Sequence, residues 1–354
     1  MKSLFKSNIS MILLLGAGHG LNDMIAGYFL GALVQFKMDL LQISLGLFLY
    51  NLLAFGGQYP VALLLEKFRT PKSFLLVAYS LNIVALVLFS FLPQLSLVLA
   101  GVGSAVYHVA GGTISAKKNK ASHIGLFAAP GVAGLIFGGY FAYEKLHVAF
   151  WFFITAILIL SLLALLPISE NKLYSAEKNE SNAGKRVHLD QHDLIMILLL
   201  TIISMRSAIW DIFQLIHHNN FSWLIAIAAA AFAGKIAGGY LADRMGWRLY
   251  TYIALGLATP LITLFRNELI LFCIGIGLLQ SSIPSTTALL IRSLKGKTER
   301  AIGLSFGTAI IIGAILFYTP VRMVLLSNLF IWITGISMLL LLYIAYHKNS
   351  RGVL

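Results

Sequence analysis

Apolar residues run along this chain in stretches of about twenty, separated by short polar segments, from Ile9 to the neighbourhood of Tyr346. A helix of roughly 20 residues, rising ~1.5 Å per residue, crosses ~30 Å of hydrocarbon. The pattern predicts twelve such helices, at 9–34, 41–65, 73–92, 95–116, 122–142, 148–168, 193–215, 221–242, 249–265, 269–291, 301–319 and 323–346. Their continuous apolarity excludes a transmembrane barrel, whose strands alternate apolar and polar positions.

One segment departs from the pattern. Across 169–192, Glu, Lys, Asn and Ser replace the apolar residues, leaving a stretch too polar to span or bury. It reads as a cytoplasmic linker between an N-terminal six-helix bundle at 1–168 and a C-terminal one at 193–354. The two halves repeat. Ala62 to Phe68, with Glu66-Lys67, aligns with Gly239 to Met245, with Asp243-Arg244, at an offset of 177 residues. Ile124-Gly125-Leu126 aligns with Ile302-Gly303-Leu304 at 178, and Gly101-Val102-Gly103 with Gly275-Ile276-Gly277 at 174. The expected fold is therefore an all-α membrane protein of two pseudo-symmetric six-helix halves, an organisation that holds substrate near the midplane between them.

Composition agrees. With 59% apolar residues, 11% charged residues and a mean hydropathy of +0.86 over 354 residues, the chain lacks the ~25% charged fraction of a water-soluble globule. The net charge of +13 would suggest nucleic acid in a soluble protein. Here it follows from loop sorting. Among the 26 Lys and Arg, only Lys37, Lys145, Arg266 and Arg322 fall in the loops on one side, and only Arg206 and Lys235 fall inside helices. The rest gather on the other side, which places both termini in the cytoplasm and makes lipid, not nucleic acid, the partner of this surface. The first apolar segment is too long for a signal peptide and reads as a retained helix. The lone Cys273 forms no intrachain disulfide.

A few polar residues interrupt the apolar helices at mid-depth, where ionisable groups are costly and face a wet cavity or one another. In Gly18-His19-Gly20-Leu21-Asn22-Asp23, His19 and Asp23 stand at i and i+4 on one face. Such a pair either exchanges protons near neutral pH or packs as a neutral, hydrogen-bonded histidine. His108 lies at similar depth in helix four, and Asn22 beside the pair is a candidate substrate contact. In the C-terminal half, Arg206 with Trp210 one turn on is an anchor for an anion, or else an internal partner for Asp211 or Asp23. Lys235 is ranked below it, as a lysine able to snorkel toward the helix end. Gln280 and Ser281, near Pro284, offer a polar cavity wall.

Neither a P-loop nor a nucleophile–base–orienter set is present, so no cofactor and no enzyme activity are expected. The adjacent His217 and His218 lack a third ligand at sensible spacing, and no metal is expected.

The run Gly234-Lys235-Ile-Ala-Gly238-Gly239-Tyr-Leu-Ala-Asp243-Arg244-Met-Gly246 resembles the loop signature of the major facilitator superfamily. The resemblance implies that Glu66, Lys67, Asp243 and Arg244 form a cytoplasmic gate. His-x-x-Asn-Asp in helix one and Gly-x-Gly-Ser-x-x-x-His in helix four are similar to the fosmidomycin-resistance branch, although Val109 stands where that branch generally has proline. Ala129-Pro130-Gly131 in helix five resembles the Gly-Pro stretch of proton-coupled antiporters. Together these imply a monomeric transporter of the bacterial inner membrane, exporting a small polar or anionic molecule or drug in exchange for protons at His19, Asp23 and His108. Import or uncoupled facilitation of a metabolite is the alternative, and a membrane-embedded enzyme a remote one.

Overall fold

The computed structural model describes residues 8–36, 38–146, 148–165, 191–216, 220–315 and 322–347, and these contain helices and their connections with no strand. We number the long helices α1 to α12. The first six are α1 (Asn8–Ala32), α2 (Leu40–Asn51 continuing through Gln58–Phe68), α3 (Pro71–Leu88), α4 (Pro93–Ala116), α5 (Ala121–Tyr143) and α6 (Val148–Leu165). The second six are α7 (Gln191–Ile216), α8 (Phe221–Met245), α9 (Trp247–Leu264), α10 (Leu269–Ser293), α11 (Thr298–Ile302 continuing through Ala309–Ile315) and α12 (Asn328–His347). Among the described residues, nine of these helices are long and apolar enough to cross a membrane. Large apolar side chains such as Leu41, Trp151 and Leu329 point outward, as expected where lipid is the solvent.

Local chemistry sets the ends. Asp39 caps α2 and forms a capping box with Gln42. Pro71 and Pro93 open α3 and α4 at the one helical turn where a missing N–H is harmless. Both acid–base loops end on a residue of positive φ, in different conformations: Gly246 after α8 at φ 89 and ψ 133, and Arg69, 177 residues earlier, after α2 at the left-handed φ 56 and ψ 31. An L residue holds the left-handed conformation at a cost of roughly 1–2 kcal/mol.

Four elements differ from the expected pattern. Single π-helical turns interrupt α2 at Leu52–Gly56 and α11 at Gly303–Thr308. The segment at 323–346 divides into a turn, Arg322–Leu325, and α12, because the Ser327 hydroxyl accepts from Phe330 N and starts a new helix. Helix α7 begins at Gln191, inside the expected linker, whose residues 169–190 lie outside the described residues.

Glycines decide how the helices meet. Helix α1 lies along α5 so closely that a Cβ on Gly134 would overlap the Gly20 carbonyl, and one on Gly138 the Met24 carbonyl. In the second half α7 meets α11 the same way, Gly313 lying on Ser204 and Ser207. Two seams join the halves. At one, Gly239 of α8 rests on Ala121 and Ser122 of α5; at the other, Gly303 of α11 rests on Gln58 and Ala62 of α2. Exchanging each helix for its counterpart in the other half, α5 for α11 and α8 for α2, converts one seam into the other, so the halves are related as the repeat implied. The glycine pairs of α4 and α10 take the same two neighbours in reversed order: Gly101 faces α2 and Gly103 faces α3, whereas Gly275 faces α9 and Gly277 faces α8.

We expect Gly134→Val to push α1 from α5 and lower stability by at least ~1–3 kcal/mol. Gly139→Ala, whose new methyl meets nothing within 4 Å, should be neutral or stabilising by up to ~1 kcal/mol. Thermal unfolding of the two variants in detergent checks the contrast.

Candidate functional site

The close α1–α5 contact brings the mid-depth polar residues of α1 under the carbonyls of α5. His19 and His108 are 5% and 6% exposed, and their Nε2 atoms lie 2.8 Å apart. Asp23 stands beside both, with Oδ2 3.2 Å from His19 Nε2 and Oδ1 3.7 Å from His108 Nε2. The other ring nitrogens face backbone carbonyls: His19 Nδ1 lies 2.8 Å from Phe127 O, and His108 Nδ1 lies 2.8 Å from Ser104 O. A carbonyl only accepts, so both Nδ1 atoms carry hydrogen and donate. The His19 ring also stacks on Phe127 at 4.8 Å. Gly131 completes the fit, since a Cβ there would lie 2.5 Å from Asp23 Oδ2 and 2.6 Å from His19 Nε2.

Asn22 ties this cluster to its surroundings. Its amide donates to Asp23 Oδ1 at 3.0 Å and to Ser104 Oγ at 3.1 Å, and its Oδ1 accepts from Asn82 of α3 at 3.1 Å. The side chain expected to meet substrate is occupied in this arrangement as a strut. The same three residues, His19, Asp23 and His108, have ligand atoms within 4.8 Å of one another, a grouping able to hold a metal ion. Tetrahedral zinc at ~2.0–2.1 Å from each nitrogen would hold them about 3.3 Å apart. The observed 2.8 Å fits a hydrogen bond between the rings better.

Across the seam, two buried cations belong to the C-terminal half. Arg206 is 3% exposed and donates to Thr286 Oγ1 of α10 at 3.1 Å. Among the described residues no carboxylate lies within ion-pair distance of it, so the expected pairing with Asp211 or Asp23 is not made. Asp211, on the same helix, has a buried Oδ2 without a hydrogen-bond partner. Lys235 does not snorkel. Its Nζ stays buried and donates to Ala128 O of α5 at 3.2 Å, because α5 covers that face of α8 along the seam. Trp210 is half-buried beside Arg206, Gln280 is buried, and Ser281 turns toward α9, where it accepts from Tyr250 OH at 2.8 Å. The pair His217 and His218 lies outside the described residues.

At one end of the bundle the halves are joined by charge. Asp243 of α8 accepts from the first N–H groups of α5, Ala121 N at 2.9 Å and Ser122 N at 3.0 Å, and from Ser122 Oγ at 2.6 Å. A carboxylate on a helix N-terminus meets both unsatisfied donors and the positive end of the helix dipole. Trp247 Nε1 holds the same carboxylate from its own half at 2.9 Å. Glu66 of α2 accepts from Arg300 of α11. Lys117 of α4 pairs with the buried Glu299 of α11 at 3.0 Å. The acids of the two signature loops therefore reach the other half, but their neighbouring bases do not: Lys67 lies over the Phe68 ring at 5.6 Å and Arg244 is exposed. Sequence reasoning missed Ser122, Lys117, Glu299, Arg300 and Thr286. The acid–base pair Glu299-Arg300 beside the repeat at Ile302 is the signal that marks two of them.

A helical bundle with paired halves and buried polar groups at its middle is the construction of a membrane transporter. The sequence profile of the Major Facilitator Superfamily matches residues 12–318, and the chain belongs to that superfamily. An E. coli fucose:proton symporter, FucP, is similar in structure, with a TM-score of 0.71 at 14% identity over 96% of this chain and 99% of that one. A second FucP structure, in the outward conformation, matches at the same 0.71 and 14%, covering 96% and 98%. At such identity the likeness is one of fold alone. No curated protein sequence matches this chain.

We expect Asn22→Leu, similar in size but without the amide, to leave Asp23 and Asn82 short of partners and cost about 1–3 kcal/mol for each buried group orphaned. A lowered melting temperature in detergent measures it.

Proposed function

We propose that this chain is a proton-coupled secondary transporter of a small polar or anionic molecule, working by alternating access across the inner membrane. The observation that carries the reading is the buried His19–His108–Asp23 cluster in one half, with Lys235 of the other half held on α5 across the seam and Arg206 buried on α7. Histidines beside a carboxylate take up and release protons in the physiological range. Buried cations hydrogen-bonded only to neutral acceptors leave their charge for an anionic substrate. In this reading the latched end is the cytoplasmic gate, held shut by Asp243 on α5, Glu66–Arg300 and Lys117–Glu299.

Efflux by exchange with protons is the direction that the helix-one and helix-four motifs favour. The charges of the two halves favour a second reading, in which anion and proton bind together and move the same way. Flux in sealed vesicles separates them. Under an imposed pH gradient, wild-type protein should move substrate against the proton gradient for exchange and with it for co-transport. His19→Ala and Asp23→Asn should each lose gradient-driven flux by at least tenfold. Transport indifferent to the gradient would sink the coupling.

The gate has its own test. In a Cys273→Ser background, a cysteine placed by Ser115→Cys is buried while the latch holds, since Ser115 is 1% exposed. Asp243→Asn and Glu66→Gln should each speed its labelling from the cytoplasmic side several-fold. Unchanged labelling in both would remove these residues from the gate.

A further inference from the structure

The two Nε2 atoms at 2.8 Å raise a question of proton count. Each Nδ1 is committed as a donor to a backbone carbonyl, Phe127 O for His19 and Ser104 O for His108. If neither Nε2 carried hydrogen, two lone pairs and the Asp23 carboxylate would converge with nothing between them. If both did, two imidazolium cations would face each other against a single carboxylate. One proton satisfies all three groups, as an N–H···N bond, and the imidazolium and carboxylate then sum to zero charge. We propose that His19 and His108 share one proton between their Nε2 atoms, that Asp23 is its fixed counter-ion, and that this proton is the one carried in each cycle.

The inference rests on the proton-coupled reading above and adds to it a stoichiometry and a route. Loss of the shared proton leaves two lone pairs facing at 2.8 Å, a repulsion that the edge-on ring contact at 4.4 Å does not relieve, and His19 turns from His108. Turning releases Phe127 O, and the next carbonyl along α5, Ala128 O, is the one that holds Lys235 of the opposite half. Pro130 weakens α5 at this point, since it supplies no N–H to the preceding turn. Release of the proton in the first half thus loosens the contact at mid-depth with the second. The titratable groups facing the bridge are Asp23 of α1, Tyr50 of α2, Tyr107 of α4 with Tyr79 of α3 behind it, and Lys235 of α8; α5 presents only the Phe127 carbonyl.

The test uses full-length wild-type protein in lipid nanodiscs with nitrogen-15 in its histidines. At the pH of active transport, NMR should find both Nδ1 atoms protonated and one strongly downfield proton coupled to both Nε2 atoms. That signal should vanish in His19→Gln and in His108→Gln alike. In proteoliposomes, one proton should accompany each substrate molecule by simultaneous pH and substrate-flux measurement. Two separate imidazolium signals, two bare Nε2 atoms, or two protons per substrate would each overturn the shared proton. An intact bridge signal with flux indifferent to a pH gradient would instead retire proton coupling and leave the bridge as structure, so the two failures are told apart.

Discussion

The centre of this protein depends on α1 and α5 lying backbone against backbone. In hydrocarbon every N–H and C=O must be satisfied within the protein, and a polar side chain has no water to fall back on. The glycines at 20, 134 and 138 bring the two helices near enough for the His19 ring to reach Phe127 O and stack on Phe127. Gly131 then leaves room for Asp23. A wider spacing would strand the imidazole and the carboxylate without partners, at a cost of several kcal/mol in an apolar medium. Close packing is therefore the condition for placing ionisable groups here at all.

The seams between the halves obey a different requirement, because they have to part. Their polar links differ in strength: Glu66 and Arg300 are about a quarter to a third exposed, and such pairs contribute roughly 0.2–1 kcal/mol, whereas Lys117 and Glu299 are largely buried and parting them costs more. Asp243 on the α5 N-terminus adds charge-assisted hydrogen bonds of about 1.5–3 kcal/mol. A sum of a few kcal/mol holds one end shut while leaving it within reach of ligand binding, which shifts such an equilibrium by its difference in affinity for the two states. The seams are also unequal. At α2–α11 both helices carry a π turn where they touch, whereas α5 and α8 meet as regular helices. Gln58, fully buried at the first contact, keeps an unpaired Oε1.

How much of this was legible in the sequence follows from how each feature is written there. Twelve apolar stretches state the helices directly, since length and hydropathy are local properties. His19 and Asp23 could be paired because i and i+4 share a helix face. Placing His108 on them required only that equal depth bring helices one and four together. The π turns were invisible, because they change hydrogen bonding without changing composition. The partners of Asn22 and Lys235 were not legible, because each helix is read by itself. Asn22 is held by residues 60 and 82 positions away, and Lys235 by one 107 positions away. The latch was legible only on its acidic side, because an acid beside a base suggests a local pair while the actual partners lie across the seam.

The charges at mid-depth carry an argument about the sign of coupling. A positive charge at the centre of a membrane costs some 2.5–3.5 kcal/mol on insertion scales, and this chain carries two there, Arg206 and Lys235. The other half holds a cluster whose net charge is set by one proton. In the proposed transporter, an anion held by the cations and a proton held by the cluster attract each other, so each raises the affinity for the other. Electrostatics alone therefore favours moving the two together. Exchange in opposite directions requires something stronger than this attraction, namely that substrate and proton compete for the same atoms. Asp23 and the two Nε2 atoms are the place for such competition, because a substrate that donates a hydrogen bond there takes the position of the shared proton. An anionic substrate exchanged for protons must then carry a donor group at its other end, long enough to reach from Arg206 across the seam to Asp23.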